Sequence, residues 1–167
     1  MTFEFYLLLI VDCYKCSNKL SCTKLFTILM QLLRKTLYTS LIILNIFLAL
    51  TAIPGGFCLL TGIAAPPIEE LKGSIFTDYT IPGLALMIIV GGSALLTAIL
   101  LIRKNKFAVL LSAAVGLIIM FFEFIEILAI GSPTGAGLVM QLIYFVLGIA
   151  MVKCALIVLY IDLQMKN

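Results

Sequence analysis

Four long apolar stretches, each bounded by charge or by proline and glycine, set the pattern of this chain. They run from Thr36 to Ala65, Tyr79 to Ile102, Phe107 to Ile130 and Leu138 to Ile161. A hydrocarbon core about 30 Å thick needs about 20 apolar residues per helix, and every run meets that length. Period-two alternation is absent, and backbone groups in lipid must find partners within their own segment, so the runs predict helices. The turns over 103–106 and 131–137 are short and make consecutive helices antiparallel neighbours. The expected fold is all-α: a four-helix transmembrane bundle, antiparallel and up-down-up-down, over residues 36–161. An N-terminal extension, 1–35, precedes it and a tail, 162–167, follows.

The first run is longer than a span requires. Thirty residues of helix measure about 45 Å, and Pro54-Gly55-Gly56 interrupts them. Proline removes a backbone donor and disfavours helical geometry in the residue before it. The first helix is therefore expected to be kinked at Pro54, with its outer part leaning over the mouth of the bundle.

Composition turns this pattern into a class. Of 167 residues, 63% are hydrophobic and 11% charged, where a soluble domain carries about a quarter charged. A water-soluble globule, a disordered chain, a coiled coil and collagen are excluded together. There is no histidine and no tryptophan, so the commonest general base and metal ligand is missing. Lysine and arginine divide unevenly. Arg34, Lys35, Arg103, Lys104, Lys106 and Lys166, with three lysines of the extension, fall on one side, and only Lys72 on the other. By the positive-inside rule both termini are expected in the cytoplasm and the protein in the plasma membrane. The expected partners are the lipid bilayer and, for any assembly, a second copy or another membrane protein. Nucleic acid is not among them.

The extension fits less simply. Phe3 to Val11 is apolar but too short to span, and no positive charge precedes it as in a signal peptide. Cys13, Cys16 and Cys22 approach zinc spacing without a fourth ligand nearby, so no metal or cofactor is expected. Starting at Met30 would place a short basic stub directly before the first helix, which makes 1–29 a dispensable segment. Alternatively Leu20 to Leu33 is an amphipathic surface helix, with Leu25, Ile28, Leu29 and Leu32 on one face.

Among the 11 Lys and Arg and 8 Asp and Glu, only Glu123, Glu126 and Lys153 fall inside the runs. Each costs about 2.5–3.5 kcal/mol at a helix centre, and by default such residues mark function. Glu123 and Glu126 share a face at i,i+3. Side chains lean toward their helix N-terminus, so Glu123 and Lys153 lean toward each other across the hairpin of the third and fourth helices. They form a candidate intramembrane site: a proton or cation relay, or else a structural pair that sets helix register. Asn45 is a further polar mark, expected to bond a neighbouring helix. Ala108, Ser112 and Gly116, and Gly91 to Ala94, are small-residue patches that let backbones approach.

A second candidate site is the outer rim, where Glu69, Glu70, Asp78 and Tyr79 would line a vestibule or simply cap and anchor a loop. Pro67 can open a short interfacial helix, and Asp78 can cap the second helix with Tyr79 at headgroup level. The segment Ser74-x-Phe76-x-Asp78-Tyr79-x-Ile81-Pro82-Gly83-Leu84, followed by a glycine-containing helix, a basic turn and a third helix bearing Glu126, resembles a family of small four-helix bacterial membrane proteins of DoxX-like appearance. The resemblance covers about residues 37–159 and implies topology, since the activity of that family is unsettled. DoxX-like proteins are associated with thiol or quinone oxidation. Here no cysteine pair sits at the outer rim, with Cys58 and Cys154 near opposite depths.

No nucleophile–base pair, metal cluster, phosphate loop or cofactor motif is present, so catalytic residues are not expected. The leading expectation is an accessory or structural membrane subunit. The alternatives are a small proton- or ion-coupled transporter acting as an oligomer through Glu123 and Lys153, then a redox-associated DoxX-like subunit.

Overall fold

The computed structural model describes residues 19–63, 76–130 and 136–165. They form four helices: α1 (Lys19–Thr61), α2 (Thr80–Ile102), α3 (Ala108–Ile130) and α4 (Ala136–Gln164). Each is long and apolar enough to cross a membrane, and no strand occurs among the described residues. The four form an antiparallel bundle in which α1 lies along α2 and α4, and α3 along α4. Cys13, Cys16, Glu69, Glu70 and Lys72 lie outside the described residues, as does the side chain of Cys22.

α1 has 43 residues, about 65 Å at 1.5 Å per residue. Residues 20–33 belong to this helix and are not a surface helix of their own. Their apolar face stays open, with Leu25, Ile28 and Leu32 exposed. The helix is continuous through Pro54, which sits inside it, so the chain does not break at Pro54-Gly55-Gly56. It stops instead at Gly62, whose φ of +72° is a left-handed conformation that glycine adopts without steric cost.

α2 is not a uniform helix. An α turn over Thr80–Leu84 leads into a π-helical stretch, Ala85–Gly92, before α geometry resumes at Ser93–Ile102. The reason is visible in what faces α1. A Cβ on Gly56 would lie 2.5 Å from the Gly83 carbonyl oxygen and 2.7 Å from Met87 Cβ, and one on Gly91 would lie 2.6 Å from Ile53 Cγ1. Residues 83, 87 and 91 all meet α1. At 3.6 residues per turn a four-residue repeat drifts about 40° at each step, and the wider π turn removes part of that drift. Helix one can then run in close contact with helix two over two turns.

The basic turn is tightly specified. Lys104 has φ of 54°. Its N–H donates to the Leu101 carbonyl at 2.9 Å, and Asn105 N–H donates to the Leu100 carbonyl at 2.9 Å. These are the two bonds of a Schellman motif, here with lysine where glycine is usual. Asn105 Oδ1 then accepts from Phe107 N–H at 2.9 Å, which caps the start of α3.

The core has two layers. Nearer the turn at 103–106, Leu41, Leu101, Ala108, Val109, Ala113, Ala155 and Val158 pack together. Further along, Leu48, Ala49, Ala52, Val90, Ala94, Val115, Ile119, Leu147 and Met151 form the second. Small side chains dominate where helices touch. Gly116 and Gly148 meet face to face, and a Cβ on either would lie under 3 Å from the other's carbonyl oxygen. Large apolar side chains such as Phe47, Leu50, Leu96, Phe121 and Val146 point outward, as expected where lipid replaces water.

Candidate functional site

Between the two core layers sits Asn45, fully buried. Its Nδ2 donates to the Leu41 carbonyl at 2.8 Å and to Ser112 Oγ at 2.7 Å. The interhelical bond expected of Asn45 is present, and its partner belongs to the small-residue stripe of α3. Asn45 Oδ1 is the one buried side-chain oxygen or nitrogen without a partner among the described residues. Both donor protons of the amide are used, one within α1 and one as a tie to α3, and the acceptor oxygen is what the amide leaves unpaired.

The pair expected between Glu123 and Lys153 is not made within the chain. Glu123 is 4% exposed, whereas Lys153 is exposed on the outer face of α4. The one ion pair among the described residues is Arg34–Asp162. The inward lean of two helical side chains favours a meeting only if both face the shared interface. α4 turns Gly148, Met151 and Ala155 toward α3 and the core. Lys153 lies two residues from Met151 and from Ala155, so about 200° of helical rotation carries it away from that face. What reaches α3 at this level is Gln141, buried, whose Nε2 donates to the Glu123 carbonyl oxygen at 3.4 Å. Its signal in the sequence was present: an amide inside an otherwise apolar run.

Glu126 has a different setting. It is half-buried and lines a groove of about 400 Å³ between α3 and the half of α2 away from the basic turn. The other walls are Phe76, Ile81, Pro82, Ala85, Ile89, Val90, Ile118, Phe121, Phe122 and Ile125. Among the described residues, Glu126 is thus the one charged group in apolar walls. The π stretch supplies Ala85, Ile89 and Val90 to this groove, and π turns within helices often occur at functional sites. Glu123 and Glu126, which share a face by spacing, are therefore divided by tertiary structure. One is enclosed in the bundle and one borders a groove.

At the rim, Asp78 Oδ1 accepts from Thr80 N–H at 2.9 Å, so Asp78 caps the start of α2 as expected. Tyr79 is buried, and its carbonyl accepts from Gly83 N–H at 2.9 Å. It packs into the bundle and does not lie outward as a headgroup anchor. Glu69 and Glu70, the other half of this site, lie outside the described residues.

Sequence reasoning missed a cluster at the opposite end. Arg34 pairs with Asp162 through Nε and, at 3.3 Å, through Nη2 to the second carboxylate oxygen. The same guanidinium lies 5.9 Å from the centre of the Tyr38 ring, whose hydroxyl donates to the Leu101 carbonyl at 2.8 Å. One group of side chains thereby ties α1, α2 and α4. Both partners of the ion pair are about one-third exposed, so the tie contributes at most about 1 kcal/mol. No group of three metal-ligating side chains occurs among the described residues, and Cys58 and Cys154 are free thiols. Compared with protein-family models, curated proteins and solved structures, the chain matches none.

Proposed function

We propose that this chain is an accessory or structural subunit of a membrane assembly, seated in the plasma membrane with both termini cytoplasmic, and that Lys153 is its intramembrane contact. The observation that carries this reading is the outward exposure of Lys153 with no ion partner among the described residues. Lys153 lies 11 residues before the end of α4 at Gln164, about 16 Å along the axis. A lysine stem reaches about 6 Å, so it falls well short of that end by snorkelling. An ammonium held at that depth costs about 2.5–3.5 kcal/mol, which an acidic or polar group on a neighbouring helix would offset. Val146 and Tyr160, seven residues to either side, are also exposed and mark a stripe on which such a helix could lie.

The orientation rests on the excess of lysine and arginine at one end. A transporter built on Glu123 and Lys153 needs both on one path, and their opposite surroundings speak against that within a single copy. The test is assembly size in mild detergent for the wild-type chain and for Lys153→Leu. The wild type is expected in a complex larger than a monomer, and the variant as a monomer with unchanged thermal stability. A monomeric wild type, or a variant that keeps the full complex, ends this reading.

A further inference from the structure

The groove beside Glu126 carries an inference independent of any protein partner. We propose that it binds a lipophilic cation, an alkyl amine whose ammonium pairs with the Glu126 carboxylate while its apolar body fills the space between α2 and α3. Of the eleven described residues that line it, ten are apolar and the eleventh is Glu126. At about 30 Å³ for each heavy-atom group, roughly the liquid share of one water, a volume of about 400 Å³ holds a chain of about a dozen methylenes. That size lies within the usual range for ligand sites.

The access route is lateral. Ile81, Ile89, Phe121 and Ile125 line the groove and are each more than half exposed on the surface that meets lipid. An amphiphile dissolved in the bilayer reaches the site without crossing water.

Charge selects the head. Glu126 has no ion partner among the described residues, and Lys153 is not among the groove walls. Arg103, Lys104 and Lys106 lie beyond the other end of α3. Glu126 stands four residues before the end of α3 at Ile130, a helix with no basic residue in its last turn. The negative end of the helix dipole therefore adds to the carboxylate, and both favour a cation. A phosphate beside the Glu126 carboxylate would be repelled, so the occupant is an amine without a phosphate and not a phosphatidylethanolamine headgroup.

The absence of tryptophan supplies the assay. Phe121→Trp places a single indole on the groove wall, in nanodiscs of phosphatidylcholine. Quenching by 12-bromododecylamine is compared with quenching by 12-bromododecanol, which has the same chain and no charge. The amine is expected to quench saturably with a midpoint at least about tenfold below that of the alcohol, and Glu126→Gln should reduce the difference to about twofold or less. Glu123→Gln, outside the groove, should leave the preference intact. Ala85→Phe, which fills the groove without touching the carboxylate, should abolish saturable quenching by the amine. The proposal is overturned by equal midpoints, by a preference that survives Glu126→Gln, by amine binding that survives Ala85→Phe, or by displacement of the amine when phosphatidylethanolamine is added to the disc.

Discussion

Two glycine-to-alanine substitutions should move stability in opposite directions. In α4, a Cβ at Gly148 would lie 2.7 Å from the Gly116 carbonyl oxygen, 2.6 Å from Met120 Cγ and 3.0 Å from Ile119 Cγ2. Met120 can rotate away, but the carbonyl belongs to the backbone of α3. Ordinary contact begins at 3.4 Å, so α3 and α4 must separate by about 0.7 Å at their closest point. Overpacking of this kind costs about 1–3 kcal/mol, against which alanine regains about 0.5–1 kcal/mol over glycine in a helix interior. The net expectation for Gly148→Ala is a loss of up to about 2.5 kcal/mol. Gly55 provides the contrast, because a Cβ there meets only Leu86 Cδ2 at 3.6 Å. Gly55→Ala should gain about 0.5–1 kcal/mol. Unfolding by SDS titration in mixed micelles measures both. Adding Gly116→Ala to Gly148→Ala should cost less than Gly116→Ala alone, since the first substitution has already opened the same gap. If Gly148→Ala stabilises as much as Gly55→Ala, the close approach of α3 and α4 is wrong.

The remaining expectations use the same unfolding assay. Lys104→Gly removes a left-handed lysine from the basic turn and should raise stability by about 1 kcal/mol; no gain would mean that the Schellman geometry does not form. Asn45→Ala and Ser112→Ala, singly and together, should show a coupling of about 0.6 kcal/mol and no more than about 1.7 kcal/mol. Strict additivity would show that the amide–hydroxyl bond is absent. The Lys153→Leu and Glu126→Gln experiments address the two proposals separately. The first reads assembly size and the second reads ligand preference, so either can fail alone.

Local rules carried the sequence reading a long way. Span number, helix class and antiparallel order follow from apolar run length and short turns, since a bilayer allows few other ways to satisfy the backbone. The capping role of Asp78 and the packing role of Asn45 were likewise legible, because each depends on neighbours within one turn or on the scarcity of polar groups in a span. The start of α1 was not. Nothing in the pattern over 19–35 says whether an amphipathic stretch will lie flat or continue the helix it adjoins. The π stretch was hidden as well, because Ala85–Gly92 is an ordinary apolar run whose geometry is imposed by the glycine contacts with α1.

Apolar run length and charge placement specify four apolar helices with their charges at the ends, and they single out Glu123, Glu126 and Lys153 as the exceptions. Tertiary structure alone decided what surrounds each exception. Spacing specifies which residues share a face of one helix. It does not specify how that face is rotated against its neighbours, which depends on where glycines and small side chains allow two backbones to meet. Gly148 against Gly116 sets the face that α4 turns to α3 and leaves Lys153 outside. The π turn and its glycines set the face that α2 turns to α1 and leave its other side to form the groove that ends at Glu126.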